Sequence, residues 1–317
     1  MPPGSAMPEH FDAQVIAAFG RHMRVRDDTG ACFEARPVGR KLDAVCGDRV
    51  RCRHDLAHGE VHVLEALPRS SALLRSSARG DPEPIVANVT LIAVVVAPKP
   101  APDLFIVDRY LCAAASAEVA GIVVLNKTDL TGVEALRTAL VPLLRAGYET
   151  LECEAATGRG VDALARRLID HTSVLVGQSG VGKSSIVGRL VPLAQIATRA
   201  LDRGDEGRHT TTASCLYDLP SGGCLIDSPG VRDFAPAIDQ LEPRSLGFVD
   251  VDRLGTNCRF VDCSHISEPS CTVRAAVEAG DLPAQRYESY RRMRRLYESL
   301  QEARGPGSRR SNRPRRH

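Results

Sequence analysis

The nine residues from Gly177 to Ser185 have the types and spacing of a loop that binds phosphate. They read G-Q-S-G-V-G-K-S-S and match the pattern G-x-x-x-x-G-K-[ST]. Lys183 is predicted to contact the β and γ phosphates during catalysis, and the Ser184 hydroxyl is predicted to bind Mg²⁺. A predicted strand before the loop and a predicted helix after it favour this interpretation over a chance glycine-rich turn. The predicted phosphate contacts are Gly177, Gln178, Ser179, Gly180, Val181, Gly182, Lys183, Ser184 and Ser185.

Four residues that read N-K-T-D follow a predicted buried strand at 121–125 and indicate recognition of guanine. The Asp129 carboxylate can accept hydrogen bonds from guanine N1–H and N2–H₂, whereas adenine offers neither donor in that arrangement. Asn126 can bind the base edge and tie loops together, and the Lys127 stem can cover the purine face. A later segment, A-A-T-G, resembles the loop behind guanine O6. The predicted base contacts are Asn126, Lys127, Thr128, Asp129, Ala155 and Ala156.

Two further segments predict the parts of the site that respond to the γ phosphate. Asp227–Gly230 reads D-S-P-G, so that Asp227 is predicted to act on Mg²⁺ through a water and the Gly230 N–H to meet the γ phosphate. The segment 207–212 reads G-R-H-T-T-T, and of its threonines Thr211 is assigned to Mg²⁺. Val231 stands where many such enzymes carry a glutamine that orients water, so His209 is the catalytic candidate; the alternative is an exposed loop histidine.

Three cysteines and one histidine near the carboxyl end have the spacing C-x₄-C-x-H-x₅-C. They are a complete tetrahedral ligand set, which predicts one structural Zn²⁺ per chain rather than a catalytic metal. The alternatives are buried free cysteines or a redox pair. The predicted ligands are Cys258, Cys263, His265 and Cys271.

Composition limits what kind of protein can carry these motifs. The 317 residues are 43% hydrophobic, enough for two or three domains, and no apolar run is long enough to cross a bilayer. The first ten residues do not resemble a secretory signal, so ten cysteines indicate a reducing cytoplasm. The net charge is only +2, yet residues 286–317 contain eleven Arg against three Glu. This basic end is either a solvated helix with a frayed tail or a contact for a phosphate backbone.

The order of the motifs constrains the fold that positions them. Short alternating strands between residues 13 and 64 predict a small β-barrel of the OB type, after a disordered segment at 1–12. The polar stretch 70–81 is predicted to be a linker or mobile loop. Strands and helices then alternate, which predicts a parallel α/β sheet. Because Asn126 precedes Gly177, this sheet must be circularly permuted relative to most GTPases. The predicted domains are 1–72, 73–240 and 241–317, the last ending in a basic helix at 284–302.

Together these residues resemble the ribosome small-subunit-dependent GTPase A family (RsgA/YjeQ) over nearly the whole chain. The resemblance rests on N-K-T-D before G-Q-S-G-V-G-K-S-S, then G-R-H-T-T-T, D-S-P-G and the zinc pattern. It departs at Ser228, where the family usually has Thr, and at Glu154, where the loop behind guanine usually has Ser. It implies an OB-fold, a permuted GTPase domain and a zinc domain. It also implies slow GTP hydrolysis that the small (30S) subunit stimulates, rRNA binding late in subunit maturation, and release after hydrolysis by a cytoplasmic monomer.

Two other classes of protein remain open at this point. One is a binding switch that responds to GTP and GDP and whose hydrolysis is incidental. The other is a P-loop ATPase with a zinc accessory domain, against which the N-K-T-D segment argues.

Overall fold

The computed structural model describes residues 9–19, 22–39, 42–55, 59–76, 81–195, 214–228 and 235–304. Its first unit is a closed barrel of five strands, in the order β1-β2-β3-β5-β4 with β4 pairing back to β1. Apolar residues at alternate positions, among them Val15, Val25 and Val63, fill the interior. The predicted barrel is therefore confirmed. The strands are β1 His10–Phe19, β2 His22–Asp27, β3 Cys32–Pro37, β4 Arg49–Asp55 and β5 Glu60–Ala66.

Two predictions near the barrel are wrong. Strand β1 begins at His10, so the end of the segment 1–12 that was predicted to be disordered is a strand, because it pairs with β4 from His10↔Arg53 onward. Residues 1–8 of that segment lie outside the described residues. The supposed linker at 70–81 instead contributes β6 Ala72–Ser76, which pairs with β7 Pro82–Ala87. Leu73 is 1% exposed, whereas the polar residues Arg75 and Ser76 are exposed at the end of the same strand.

The second unit is an α/β sheet in the order β10-β9-β8-β11-β13-β12. All neighbours are parallel except the antiparallel pair β12 and β13, and helices cover both faces. Strand β8 is buried at all six positions, as its continuous apolar run predicts. The strands are β8 Leu91–Val96, β9 Ala120–Leu125, β10 Glu149–Glu152, β11 Thr172–Val176, β12 Ser214–Asp218 and β13 Cys224–Asp227. The helices are α1 Leu104–Ser116, α2 Val133–Ala146, α3 Val161–Arg167 and α4 Lys183–Leu190.

The barrel and the α/β sheet are joined by backbone pairing. Strand β12 pairs on one side with β13 and on the other with β1 of the barrel, at Ala17↔Cys215 and Ala18↔Ser214. Strand β1 pairs with β4 only as far as Gln14, and beyond an irregularity between Val15 and Ala17 it pairs with β12 instead, while its pairing with β2 continues to Phe19. The two units consequently form one continuous sheet of eleven strands.

The carboxyl-terminal unit is helical and packs on α1. It contains a 3₁₀ turn at Ile238–Gln240, then α5 Val249–Gly255, α6 Thr272–Ala279 and α7 Ala284–Arg304. Its core includes Phe248, Tyr290 and Met293, and it extends to Phe105 and Cys112 of α1. The basic helix is thus confirmed. No helix among the described residues has both the length and the apolar character needed to cross a membrane.

Two of the arginines on α7 differ from the expectation of a solvent-facing basic helix. Arg286 and Arg294 are 2% and 6% exposed. The Arg286 guanidinium donates to Asp108 of α1 and, at 2.9 Å, to Asp250 of α5, so it joins two units of the chain. Burial opposes its charge, but the two carboxylates outweigh burial and raise the pKa of Arg286 above its ordinary value.

Candidate functional site: a nucleotide pocket and a cysteine–histidine cluster

The nucleotide motifs meet at the carboxyl ends of neighbouring strands. The N-K-T-D segment follows β9, the segment with Ala155 follows β10, the phosphate loop follows β11 and Asp227 ends β13. Ligand sites of open α/β sheets lie at this edge because the loops there converge. His209, Thr211, Gly230 and Val231 lie outside the described residues.

The glycines of the phosphate loop have backbone conformations that side chains would disturb. Gly177 and Gly182 have φ values of +137° and +99°. A Cβ atom at Gly177 would lie 2.2 Å from the Val95 carbonyl oxygen, and one at Gly182 would lie 2.3 Å from Asn126 Nδ2. The loop can therefore approach the neighbouring strands and a phosphate closely only with glycine at these positions.

The pocket beside this loop has a volume of about 390 Å³ and receives residues from two motifs. Lys183 lines it and donates to the carbonyl oxygens of Gly177 and, at 2.9 Å, Gln178. Lys127 also lines it and donates to Gly180 O at 2.6 Å. The remaining lining residues are Ser179, Gly180, Gly182, Ser184 and Ser185.

Asn126 ties the base-recognition loops to the phosphate loop. Its Nδ2 donates to Val181 O at 2.9 Å, while its Oδ1 accepts from Ala155 N at 3.1 Å. Asn126 is 1% exposed, so its role is to hold three loops together rather than to reach far into solvent. The Thr128 hydroxyl donates toward Cys153 O at 3.4 Å, and Asp129 is exposed beside it.

One residue of this site has no signal in the sequence. Arg189, on α4, donates through Nε to Ala155 O at 2.9 Å and through a terminal nitrogen to Ala156 O. Arg189 follows the phosphate loop by four residues but belongs to no motif, so its contact with the Ala155–Ala156 segment is recognisable only once the fold brings α4 beside that loop. Glu154, where the family resemblance departs, pairs with Arg159 at 3.1 Å at the same loop.

The three cysteines and the histidine converge as their spacing predicts. All four ligand atoms lie within 4.8 Å of one another. His265 Nδ1 lies 3.5 Å from the sulfurs of both Cys258 and Cys271, which are 3.9 Å apart. A tetrahedral zinc with Zn–S of about 2.3 Å and Zn–N of about 2.0 Å needs separations of roughly 3.5–3.8 Å, so the cluster fits such an ion.

Electrostatics also favour a cation in the cluster. Burial, and the neighbouring Cys271 and Cys258 sulfurs, raise the pKa of Cys263 to about 12. Thiolates are the form that binds a metal, and clustered thiolates need a positive charge among them to be stable. The residues could therefore hold a metal ion.

Glu268 orders the backbone around His265. Its carboxylate accepts from Ser264 N and Oγ, both at 2.6 Å, and from Ile266 N at 3.0 Å. Burial opposes ionisation, but these hydrogen bonds outweigh it and lower the pKa of Glu268 to about 2. From the other side, Tyr287 of α7 donates to His265 O at 2.7 Å.

Glu268→Ala is expected to weaken metal retention about tenfold, because the loop that presents His265 loses its anchor. The measurement is competition with a chromophoric chelator on protein loaded with Zn²⁺. Glu278→Ala, which removes an exposed carboxylate from α6, is the matched control. Equal metal affinity in the two variants would contradict the assignment.

Comparison with known proteins agrees with the class that fold and site define, a circularly permuted GTPase. The model of the RsgA GTPase family matches residues 66–236. Small ribosomal subunit biogenesis GTPase RsgA of Chromohalobacter salexigens is 42% identical over 298 residues, covering 91% of this chain and 86% of the relative. The protein of the same name from Saccharophagus degradans is 37% identical over 308 residues, covering 92% and 89%.

Two solved structures share the fold. YjeQ from Thermotoga maritima superposes with a TM-score of 0.69 at 28% identity, covering 91% of this chain and 99% of that one. YloQ, a circularly permuted GTPase, gives a TM-score of 0.70 at 22% identity, covering 92% and 96%, and supports the fold alone. The chain belongs to the RsgA GTPase family, and it is a GTPase.

Proposed function

We propose that this GTPase acts in biogenesis of the small (30S) ribosomal subunit: it binds the rRNA, hydrolyses GTP slowly until the subunit stimulates it, and leaves after hydrolysis. The names of the relatives support the subunit as partner. The observation that carries the nucleotide part is Asn126, whose two hydrogen bonds lock the base loops to the phosphate loop. The proposed setting is a cytoplasmic monomer with domains at 1–72, 73–240 and 241–317.

The site residues receive the following roles. Asp129 accepts from guanine N1–H and N2–H₂, Lys127 covers the base, and Lys183 contacts the β and γ phosphates. Mg²⁺, which would neutralise phosphate charge, would be held by Ser184, Thr211 and Asp227. One Zn²⁺ would be bound by Cys258, Cys263, His265 and Cys271.

Asp129→Asn is expected to exchange guanine preference for xanthine preference. The xanthine C2 carbonyl needs a donor, which the new amide supplies, while GTP binding should fall about a hundredfold. Competition between GTP and XTP for a fluorescent nucleotide measures both effects. Asp162→Asn, which removes an exposed carboxylate on α3, should leave the preference unchanged. A variant of Asp129 that still prefers GTP would refute the base assignment.

Hydrolysis without a glutamine after D-S-P-G needs another polar group, and we assign that role to His209. His209→Ala should bind nucleotide almost normally, show little change in basal rate and lose most of the stimulation by small subunits. Single-turnover cleavage of GTP with and without subunits measures this. Full stimulation in the variant would show that the ribosome, rather than His209, supplies the group.

Binding to rRNA is assigned to the exposed side of α7. Arg291, Arg292 and Arg295 are exposed there, whereas Arg286 and Arg294 are not. Charges that neutralise phosphates release counterions, so affinity should fall steeply with salt. Co-sedimentation with small subunits, comparing GDP with a non-hydrolysable GTP analogue across salt concentrations, tests the partner. Binding to small subunits that changes with neither the nucleotide nor the salt concentration would refute this assignment.

A further inference from the structure

Arg189 donates two separate hydrogen bonds to the Ala155–Ala156 segment, which is predicted to lie behind the base. The acceptors are the carbonyl oxygens of two successive residues, Ala155 and Ala156. A guanidinium presents its donors in a rigid planar fork, so two such contacts fix the orientation of the two peptide units rather than only their distance.

Because the peptide bond is planar, the hydrogen bonds from Arg189 also fix the direction of the Ala156 and Thr157 N–H groups. In a trans peptide the carbonyl of one residue and the N–H of the next point to opposite sides. Because the carbonyls of Ala155 and Ala156 face Arg189, the N–H groups of Ala156 and Thr157 face away from it. Gly158 N donates to Glu154 O and closes one turn of α-helical type, in which successive N–H groups point the same way. The preceding N–H, of Ala155, donates to Asn126 Oδ1 at 3.1 Å and so shows which side this is.

The two turned N–H groups therefore point to the side where N-K-T-D lies. Neither makes a backbone hydrogen bond within the described residues, although Gly158 N, next in the loop, donates to Glu154 O at 2.8 Å. An N–H group in a binding site that no protein atom satisfies is available to a ligand acceptor. Guanine presents such an acceptor, the O6 carbonyl, on the edge that adjoins the N1–H facing Asp129.

We propose that Arg189 is a positioning residue for base specificity: by holding the Ala155 and Ala156 carbonyls, it aims the Ala156 and Thr157 N–H groups at the 6-oxo group of the purine. The inference rests on the proposed guanine site and adds to it a residue that determines base specificity, Arg189, on the helix that follows the phosphate loop. Arg189 and Lys183 lie on the same helix, α4. The helix that carries a phosphate contact therefore also positions the N–H groups that recognise the 6-oxo group of the base.

The test compares GTP with 6-thio-GTP, which keeps N1–H and N2–H₂ but replaces O6 by sulfur, a weak acceptor. Wild-type protein should bind GTP about tenfold more tightly than 6-thio-GTP, the value of one lost hydrogen bond. In Arg189→Ala the ratio should fall to about two, because GTP affinity drops while 6-thio-GTP affinity barely changes. Arg189→Lys keeps the charge without the fork and should give an intermediate ratio.

The control is Arg166→Ala, which removes an exposed arginine from the adjacent helix α3 and should keep the wild-type ratio. If Arg189 only supports the helix, both nucleotides weaken together in Arg189→Ala and the ratio survives, which overturns the inference. A wild-type ratio near one also overturns it. Failure of the proposed guanine site has a different signature, the absence of preference for GTP over ATP in wild-type protein.

Discussion

Lys183→Ala is expected to lower the rate of GTP hydrolysis at least a hundredfold and to weaken triphosphate binding. The side chain is 6% exposed and lines the phosphate pocket, where it donates to the Gly177 and Gln178 carbonyls. A cation held in that position stabilises negative charge on the transferring phosphoryl group, and removal of one such donor costs roughly 10²–10³ in rate. Single-turnover hydrolysis and direct nucleotide titration separate the two effects.

The charge-matched control for this variant is Lys99→Ala. Lys99 is exposed, and it contacts the site through its backbone carbonyl, which accepts from Lys127 at 3.1 Å and survives substitution. Its hydrolysis rate should stay near that of the wild type. Normal turnover in Lys183→Ala would remove the phosphate loop from the mechanism.

Arg286→Met is expected to destabilise the carboxyl-terminal unit by about 3–5 kcal/mol. The substitution leaves Asp108 and Asp250 buried without their shared cation, and uncompensated buried charge carries this cost. Chemical denaturation followed through the tyrosines of α7 measures the change.

Arg291→Met, on the same helix, is the control because Arg291 is exposed and pairs with Glu288, an interaction worth about 0.5 kcal/mol or less. A triple variant with Asp108→Asn and Asp250→Asn added should recover much of the loss, since the buried charges are then gone. Equal stability of Arg286→Met and Arg291→Met would contradict the account.

Local chemistry explains which features could be predicted from the sequence. The phosphate loop, N-K-T-D and the cysteine–histidine pattern each hold their predicted binding groups within a few residues of sequence. The structure places the first two at one edge of the sheet and the four cysteine and histidine ligand atoms within 4.8 Å of one another. Strand β8 was predictable because burial on both faces requires an unbroken apolar run. Strand β12 is short, and besides the neighbouring β13 it pairs with β1, which is distant in the chain.

Other features depend on long-range contacts that residue types do not reveal. Arg286 and Arg294 have the same composition signal as the exposed arginines of α7, and only the acids of α1 and α5 and the packing of Tyr290 distinguish them. Arg189 likewise becomes part of the base site through the placement of α4. Strand β6 could not be predicted from its polar stretch, because a strand this short needs only one buried side chain, Leu73, to pack on the core.

The pairing of β1 with β12 makes the barrel a cover for an edge. Without the barrel, β12 would be the outermost strand of the α/β sheet and would present an open row of N–H and C=O groups along an apolar segment, Cys215–Tyr217. Exposed edges of this kind recruit further strands from other molecules. A chain shortened to begin at the α/β sheet would therefore self-associate through β12, although its nucleotide loops were intact. The barrel and the GTPase sheet can be assigned to separate domains by sequence, but backbone hydrogen bonds between β1 and β12 cross the boundary between them.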